Sequence, residues 1–227
     1  MPQLNQIRER RTSADEVFDH LYQEIISLKL LPDTKMSEVE IASQFEVSRQ
    51  PVREAFSRLG NLGLVLIRPQ KATVVRKFSS REIAHARFVR TAIEVEVLRV
   101  ACDLWPTANR TPVLENLDAQ KTAVHAQEAD RFHQLDYDFH RLLCRAAEAE
   151  FAFKTIAQMK TQVDRLCLLS LERPTEMEVL LADHTRMVEA LEAQDFDALN
   201  ATIRHHLARL DDVVAAVRES HTDYFED

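Results

Sequence analysis

The sequence is short of glycine and cysteine and has no long apolar run. Only two glycines occur among 227 residues, which disfavours the glycine-rich loops that hold nucleotide phosphates and favours a fold made mainly of helices. The three cysteines are widely spaced among apolar residues, so we expect buried thiols rather than disulfides or metal ligands. No apolar stretch is long enough for a membrane span, and the N-terminus lacks the hydrophobic core of a signal peptide. These absences predict a cytoplasmic protein that does not bind membranes.

Charge is unevenly distributed along the chain. The net charge is −8, yet residues 1–78 carry 12 basic and 10 acidic side chains, whereas residues 79–227 carry 17 basic and 27 acidic ones. Basic side chains are densest between residues 47 and 77, a segment that contains seven basic residues and one acidic residue. A basic segment within an acidic chain attracts phosphate locally. We therefore predict two domains, 1–78 and 79–227, of which the first binds nucleic acid.

Three helices are predicted in the first domain. One follows a capping box at Ser13–Glu16, and a second follows another box at Ser37–Glu40. The third begins after Ser48, a good N-cap residue, and ends at Gly63. Only Glu46 and Val47 separate the second helix from the third. So tight a connection between two short helices indicates a helix-turn-helix.

Two β-rich runs follow the third helix. They cover residues 64–67 and 73–75 and are joined by a four-residue turn at 69–72. With the helix pair they make a winged helix-turn-helix. From residue 79 onward the pattern is helical almost throughout, over about 79–104, 111–128, 130–147, 150–171, 176–193 and 195–219, with one helix open to being split. The predicted fold is mostly α: an N-terminal winged helix-turn-helix followed by an all-α antiparallel helical bundle.

The first turns of the third helix carry side chains suited to base edges. Arg49, Gln50 and Arg53 lie there, and in the major groove arginine pairs with guanine and glutamine with adenine. The alternative is that these charges are merely solvated, as on most helix surfaces. Agreement between the helix pair, the wing and the charge favours DNA. The side chains better suited to phosphate are Ser48, Arg68 and Lys71.

Polar residues interrupt the apolar stripes of four helices in the second domain. Helical spacing places Asp136 and His140 on one stripe, while His184, His206 and Arg90 each lie on another. One carboxylate and three imidazoles suit a divalent ion, with Zn²⁺ as first choice and Ni²⁺ or Mn²⁺ as alternatives. The arginine could then clamp a carboxylate that also binds the ion. The alternative is a buried Arg–Asp pair with hydrogen-bonded histidines and no ion.

Several of these segments match the motifs of a known family. The strongest is Val-Ser-Arg-Gln-Pro-Val-Arg-Glu-Ala at 47–55, followed by Gly-Leu-Val at 63–65. In the second domain the motifs are Asp-Tyr-Asp-Phe-His at 136–140, Asp-His at 183–184 and His-Leu at 206–207. Over nearly its whole length the chain resembles the GntR family of bacterial transcription regulators, in the FadR-like branch. The C-terminal part of that branch is the helical FCD ligand-binding domain.

The resemblance implies a function for the second domain. In members with this pattern, the residues equivalent to the aspartate and the three histidines bind a divalent metal, and a small organic acid lies against it. Arg90 and Glu94 resemble the family's Arg-x-x-x-Glu, which implies that they belong to the effector site. The chain departs from the family at three places that usually contain glycine: the wing tip at Gln70–Ala72, the Pro32-Asp33 pair, and residues 148–149 after Ala147.

The sequence therefore predicts a homodimeric regulator of a pseudo-palindromic DNA operator. Each recognition helix would enter one major groove, and a small carboxylate effector would change the relative placement of the DNA-binding domains. Repression relieved by a metabolite is the commoner logic in the family. Two other functions remain open from the sequence. One is a metal-dependent enzyme in which the ion, Arg90 and Glu94 activate water, and the other is a sensor for the metal itself.

Overall fold

The chain folds into two compact units that divide between Lys77 and Phe78. The computed structural model describes residues 11–68, 71–171 and 173–226. The sequence placed the boundary one residue later. Phe78 belongs to the second unit because its amide donates to the carbonyl of Tyr224 at 2.8 Å and its carbonyl accepts from the amide of Glu226 at 3.0 Å.

The first unit is a winged helix-turn-helix, as predicted. In the described part of this unit, three short strands form an antiparallel sheet beside the helices: Thr73–Val75 lies in the middle, between Lys35–Met36 and Val65–Leu66. The sequence analysis missed the first strand, because two residues are too short to display an alternating pattern. The elements are α1 (Ser13–Ile26), β1 (Lys35–Met36), α2 (Glu38–Gln44), α3 (Arg49–Asn61), β2 (Val65–Leu66) and β3 (Thr73–Val75).

Local capping explains where the helices of this unit begin. The cap of α1 is Thr12 rather than the predicted Ser13: its hydroxyl accepts from the amide of Asp15, whose carboxylate accepts from the amide of Thr12. Ser37 caps α2 by accepting from the amide of Val39 at 3.3 Å. Ser48 is the N-cap residue of α3, but its side chain makes no capping hydrogen bond. The hydroxyl of Ser48 thus remains available to another partner.

Helix α1 packs against α3 and supports it from behind. Both helices contribute a buried apolar stripe, and the opposite face of α3 is exposed. The buried residues of this contact are Val17, Leu21 and Ile25 in α1 and Val52, Phe56 and Leu59 in α3. Burial of this stripe fixes which side of α3 faces outward, and the predicted DNA-reading residues lie on that side.

The second unit is a helical bundle. The helix predicted at 150–171 is two helices, with a break at residues 162–163. A buried apolar core, including Trp105, Phe139 and Met187, joins the helices. The elements are α4 (Ser80–Leu104), α5 (Thr111–Ala126), α6 (Ala129–Ala146), α7 (Glu150–Thr161), α8 (Asp164–Leu171), α9 (Pro174–Glu192), α10 (Phe196–Ser220) and a short 3₁₀ turn (Thr222–Tyr224).

Two of the positions that usually contain glycine keep a left-handed backbone in this chain. Asp33 has φ of 68° and Glu148 has φ of 54°. Aspartate tolerates this region better than most residues because its short side chain bonds locally. The chain therefore retains these turns without glycine. The third departure, at the wing tip, involves Gln70, which together with Pro69 lies outside the described residues.

Burial determines the chemical state of the cysteines. All three cysteines are free thiols, and Cys102 and Cys144 are buried while Cys167 is partly buried. Burial raises the pKa of Cys144 to about 12, so this thiol stays protonated and unreactive. Among the helices of the described residues, none combines the length and the apolar character needed to cross a bilayer.

Candidate metal centre and DNA interface

Four polar side chains from three helices meet inside the second unit. Asp136 and His140 come from α6, His184 from α9 and His206 from α10, and all four are buried. Each offers one ligand atom, and these atoms lie within 4.8 Å of one another. The structure thus brings together the four residues that the sequence predicted as metal ligands. We call them the four-residue cluster.

Oxygen atoms behind the cluster hold two of its imidazoles. Nδ1 of His140 lies 2.7 Å from Oε2 of Glu94, and Nδ1 of His184 lies 2.7 Å from Oε1 of Gln120. The ring of His184 also stacks on Phe139, with centroids 4.3 Å apart. Outer hydrogen bonds of this kind fix the orientation of a ligating histidine and raise its basicity. They direct Nε2 of both rings toward Asp136.

The third imidazole has a carboxylate behind it. Nδ1 of His206 lies 3.5 Å from Oδ2 of Asp183, which is fully buried. Asp183 also accepts from Nε of Arg209 at 2.6 Å and from the guanidinium of Arg186. The two arginines compensate the buried charge of this carboxylate. Burial would raise its pKa, but His206 and Arg209 outweigh burial and lower it. An oxygen atom therefore lies beside each of the three Nδ1 atoms, although Nδ1 of His206 makes no hydrogen bond to Asp183.

Asp136 divides its two oxygens between the cluster and a lysine. Oδ1 lies 3.4 Å from Nε2 of His184 and 3.8 Å from Nε2 of His140. Oδ2 accepts a hydrogen bond from Nζ of Lys160 at 2.8 Å. Lys160 is buried and also lies 3.6 Å from Asp164. Lys160 was not predicted from the sequence. Its hydrogen bond occupies one oxygen of Asp136 and leaves the other facing the histidines.

The protonation states of the cluster suit a cation. Burial alone would raise the pKa of Asp136, but Lys160 and the histidines outweigh it and hold this pKa well below its usual range. Burial, followed by the neighbouring His206, lowers the pKa of His184 well below that of a free imidazole. Burial also lowers the pKa of His206 despite the nearby Asp183. At neutral pH the aspartate is therefore ionised and these two imidazoles are neutral, as metal binding requires.

The cluster contains buried polar atoms that lack partners. Within the described residues, three ring nitrogens of the cluster are buried without a hydrogen-bond partner: Nδ1 of His206, and the two that face Asp136, Nε2 of His140 and Nε2 of His184. A buried polar atom without a partner costs about 1–3 kcal/mol. An ion bound by these nitrogens and by Asp136 would remove that cost. On donor chemistry, burial and distance, the four-residue cluster could hold a divalent metal ion.

Arg90 lies beside the cluster on α4. It pairs with Glu94 rather than with Asp136, through a 2.7 Å hydrogen bond from Nε to Oε1, so the predicted alternative of an Arg–Asp pair is not formed. Its Nη2 is buried and meets no hydrogen-bond partner among the described residues. Arg90, Lys160, His140 and Asp136 line a cavity of about 70 Å³. An unused donor of a buried guanidinium beside this cavity is suited to a carboxylate.

The predicted DNA-binding residues lie on one exposed side of the first unit. Arg49, Gln50 and Arg53 are exposed on the first two turns of α3, and Ser48 is exposed just before them. Arg49 and Arg53 line a cleft of about 580 Å³, together with two further basic residues that follow the helix. These are Arg68 and Lys71, which the sequence assigned to phosphate. Ser48 and Gln50 do not line this cleft.

The sequence was compared with protein-family models and with known proteins. Residues 13–75 match the bacterial regulatory proteins of the gntR family, and residues 86–209 match the FCD domain. The chain is 34% identical over 212 residues to the HTH-type transcriptional repressor RspR of Escherichia coli K12, and the match covers 93% of each chain. The chain belongs to the GntR family. It combines the GntR helix-turn-helix with a C-terminal FCD domain.

A further relative and a solved structure are also similar to this chain. It is 30% identical over 200 residues to a probable D-xylose utilization operon transcriptional repressor of Paenarthrobacter nicotinovorans, a match that covers 88% of this chain and 87% of the relative. The structure of McbR/YncC of Escherichia coli superposes with a TM-score of 0.73 at 17% identity, covering 93% of this chain and 100% of that one, and so shares the fold. RspR and the Paenarthrobacter protein are both named as transcriptional repressors. This GntR protein is accordingly a DNA-binding regulator and not an enzyme.

Glu38 of α2 holds the two arginines of the GntR recognition helix. Its Oε2 accepts from Nη2 of Arg49 at 2.8 Å and from Nε of Arg53 at 2.9 Å. The hydrogen bond from Arg49 contributes most to lowering the pKa of Glu38, so this carboxylate remains ionised. The glutamate fixes the direction of both guanidiniums and removes part of their charge. The sequence analysis did not identify it, because its partners lie on the next helix.

We expect Glu38→Gln to raise the affinity of the protein for any duplex and to reduce its sequence discrimination. Exposed ion pairs contribute about 0.2–1 kcal/mol each, and Glu38 makes two of them, so affinity for a scrambled duplex should rise by roughly 2- to 30-fold per protomer. Fluorescence anisotropy at one salt concentration would measure this with an operator selected from random duplexes and with its scrambled counterpart. Glu40→Gln, an exposed change on the same helix, is the matched control. Unchanged discrimination in Glu38→Gln would contradict the positioning role of this glutamate.

Proposed function

We propose that this GntR regulator is a homodimeric repressor controlled by a small organic acid that binds at a divalent metal ion in its C-terminal domain. One observation carries the proposal. The four-residue cluster lies beside the buried, unused Nη2 of Arg90, and three of its members, Asp136, His140 and His206, line one cavity with that arginine. The arrangement places ligands for a cation beside a hydrogen-bond donor that suits the carboxylate of an effector.

The donor set favours Zn²⁺, with Ni²⁺ and Mn²⁺ as alternatives. Three imidazoles and one carboxylate are ligands of hard-to-borderline character, which all three ions accept. When bound, the ion would supply a positively charged coordination position for an oxygen of the effector. Asp136 would contribute one oxygen, because Lys160 occupies the other at 2.8 Å. The remaining residues of the site orient these ligands and exclude water.

Arg90 is proposed to bind the carboxylate of the effector. Its Nε is committed to Glu94, which in turn accepts from His140. The carboxylate of Glu94 would therefore orient both the proposed metal ligand His140 and the proposed effector-binding residue Arg90. Apolar side chains such as Leu207 and Val213 line the rest of the cavity. A small acid with one carboxylate near the ion and a compact remainder fits these surroundings.

The proposal for DNA rests on the exposed basic cleft and on symmetry. Arg49, Gln50 and Arg53 would contact base edges in the major groove, while Ser48, Arg68 and Lys71 would contact phosphates. A homodimer presents two recognition helices, so its operator would be pseudo-palindromic with two half-sites. Several relatives are named as repressors, which favours repression that the effector relieves. Because binding is reciprocal, an effector that lowers operator affinity must itself bind less tightly to the DNA-bound protein.

Arg90→Ala should weaken the effector without weakening operator binding. A hydrogen bond to a charged group contributes about 1.5–3 kcal/mol, so the affinity for an acid that stabilises the wild type should fall roughly 10- to 150-fold. Thermal shifts of Zn²⁺-loaded protein with acetate, lactate, malonate, succinate, citrate and gluconate would first identify a responding acid. Titration of that acid into wild type and variant would then give the two affinities.

Arg99→Ala is the control, since Arg99 lies on the same helix but is exposed and pairs with Glu96 and Asp103. It should leave the response to the acid unchanged. An equal response in Arg90→Ala would show that this arginine does not bind the effector. Release of the operator by the ion alone, with no acid, would instead favour a metal sensor. Turnover of the responding acid would instead favour the metal-dependent enzyme, and it would contradict the assignment as a regulator.

A further inference from the structure

Two buried amide side chains of α5 lie behind the four-residue cluster. Asn116 and Gln120 are four residues apart, on the same face of the helix, and Gln120 has no exposed surface. Burial of an amide is costly unless its donors and acceptors are paired. Neither residue is part of the ligand set or of the effector site proposed above. Their hydrogen bonds nevertheless end at a metal ligand.

The donor and the acceptor of each hydrogen bond are determined, because the series begins at a backbone carbonyl. The carbonyl oxygen of Leu135 can only accept, so Asn116 presents Nδ2 to it, at 3.1 Å. Oδ1 of Asn116 then faces Nε2 of Gln120, which donates to it at 2.8 Å. Oε1 of Gln120 is left to face Nδ1 of His184, at 2.7 Å. Since that oxygen can only accept, Nδ1 of His184 carries the proton and Nε2 has the lone pair.

The other two histidines of the cluster do not need such a chain. Carboxylates are the nearest oxygen groups to their Nδ1 atoms: Glu94 lies 2.7 Å from that of His140, and Asp183 lies 3.5 Å from that of His206 without forming a hydrogen bond. An ionised carboxylate has only acceptor oxygens, so it selects one tautomer in any orientation. An amide has an oxygen and an NH₂ group, and rotation by 180° would present a donor to the histidine instead. His184 is therefore the one ligand of the cluster whose tautomer depends on how a side-chain amide is oriented.

We propose that Asn116 and Gln120 are positioning residues that hold His184 in its metal-binding tautomer. This inference rests on the proposed function, because it assumes that the cluster binds an ion. Asn116 accepts from Nε2 of Gln120 and so keeps Oε1 of Gln120 directed at His184. That oxygen then holds the proton of His184 on Nδ1. A neutral acceptor at this position also avoids adding another buried carboxylate beside Glu94, Asp136 and Asp183.

Three variants of the full-length protein test the proposal. Gln120→Leu removes the acceptor, and we expect the affinity for Zn²⁺ to fall roughly 10- to 100-fold, as for other outer partners of metal ligands. Asn116→Leu leaves the acceptor but frees the amide to rotate, so a smaller loss, up to about tenfold, is expected. The double variant Asn116→Leu, Gln120→Glu supplies a carboxylate that needs no orientation. It should return the affinity for Zn²⁺ to within roughly threefold of the wild type.

The measurements are competition for Zn²⁺ with a chromogenic chelator, the visible spectrum of Co²⁺-loaded protein, and the melting temperature of metal-free protein. The expected result is weaker Zn²⁺ binding and an altered Co²⁺ spectrum in Gln120→Leu, with recovery in the double variant. A role in packing alone would lower the metal-free melting temperature and leave Zn²⁺ affinity and the Co²⁺ spectrum unchanged. That result, or no recovery in the double variant, would overturn this inference and leave the proposed function standing. Absence of Zn²⁺ and Co²⁺ binding in the wild type would overturn both.

Discussion

Arg49→Ala is expected to abolish most of the sequence-specific binding of this GntR regulator to its operator. A bidentate contact between arginine and guanine contributes about 1–3 kcal/mol of discrimination. The proposed dimer would lose two such contacts, or about 2–6 kcal/mol, which corresponds to a loss of affinity of roughly 30-fold to more than 10,000-fold. The residue lies on the first turn of α3, exposed and held by Glu38 at 2.8 Å. Anisotropy titrations with an operator selected from random duplexes would measure the loss.

Lys71→Ala provides the contrast for this measurement. A phosphate contact carries no sequence information, so its loss should weaken operator and scrambled duplexes alike. The slope of log affinity against log salt should become shallower by about one per protomer. Equal losses for operator and scrambled duplex in Arg49→Ala would assign Arg49 to phosphate rather than to a base. Lys71 lines the same cleft as Arg49, so the two variants separate base contact from phosphate contact within one surface.

Zn²⁺ is expected to raise the stability of the wild type strongly and that of His206→Ala very little. An ion that binds only the folded chain adds about 2.7 kcal/mol at 100 times its dissociation constant and about 4.1 kcal/mol at 1,000 times. For a chain of this size these energies correspond to an increase of roughly 5–16 °C in melting temperature. The effect is large because the ligands come from three helices, so the ion would cross-link α6, α9 and α10.

His205→Ala is the matched control for the stability measurement. The two histidines are adjacent, but His205 is exposed whereas His206 is buried in the cluster. His205→Ala should keep the full response to Zn²⁺, and a chelator should reverse it. The melting temperature of each variant without metal shows whether it is folded. A full response in His206→Ala would exclude this histidine from the ligand set.

Local patterns predicted most of the fold. Helical spacing and breakers located nearly every helix, because amphipathic periods and residues such as Gly63, which has φ of 72°, act within a few positions. The errors are also local. Thr12 caps α1 one residue before the predicted Ser13, since both residues could serve as caps. The break in the helix at 162–163 contains no proline or glycine that would have marked it.

The candidate site was predicted only in part. Spacing placed Asp136, His184 and His206 on inward-facing stripes, and the structure brings them together. Lys160 was missed although it shares a stripe with Phe153 and Ile156, the same signal that identified Arg90. Spacing alone does not give distances between helices, so it could not place Lys160 beside Asp136.

The orienting residues were harder to find from sequence. Asn116 and Gln120 lie at positions that pack inward with Val113 and Leu117, yet an amide on such a stripe indicates only that some partner exists. Which partner it has depends on how α5 packs against α6 and α9. That packing is a property of the folded chain and not of any local segment.

The central claim is that the C-terminal domain holds one divalent ion through Asp136, His140, His184 and His206. Elemental analysis of purified, tag-free protein by plasma mass spectrometry tests it most directly, with the double variant His184→Ala, His206→Ala alongside. We predict about one ion per chain in the wild type, after loading if necessary, and none in the double variant. No ion in the wild type, even after incubation with Zn²⁺, Ni²⁺ or Mn²⁺, would contradict the claim. It would leave the four-residue cluster as a hydrogen-bonded pocket in a regulator that still binds DNA.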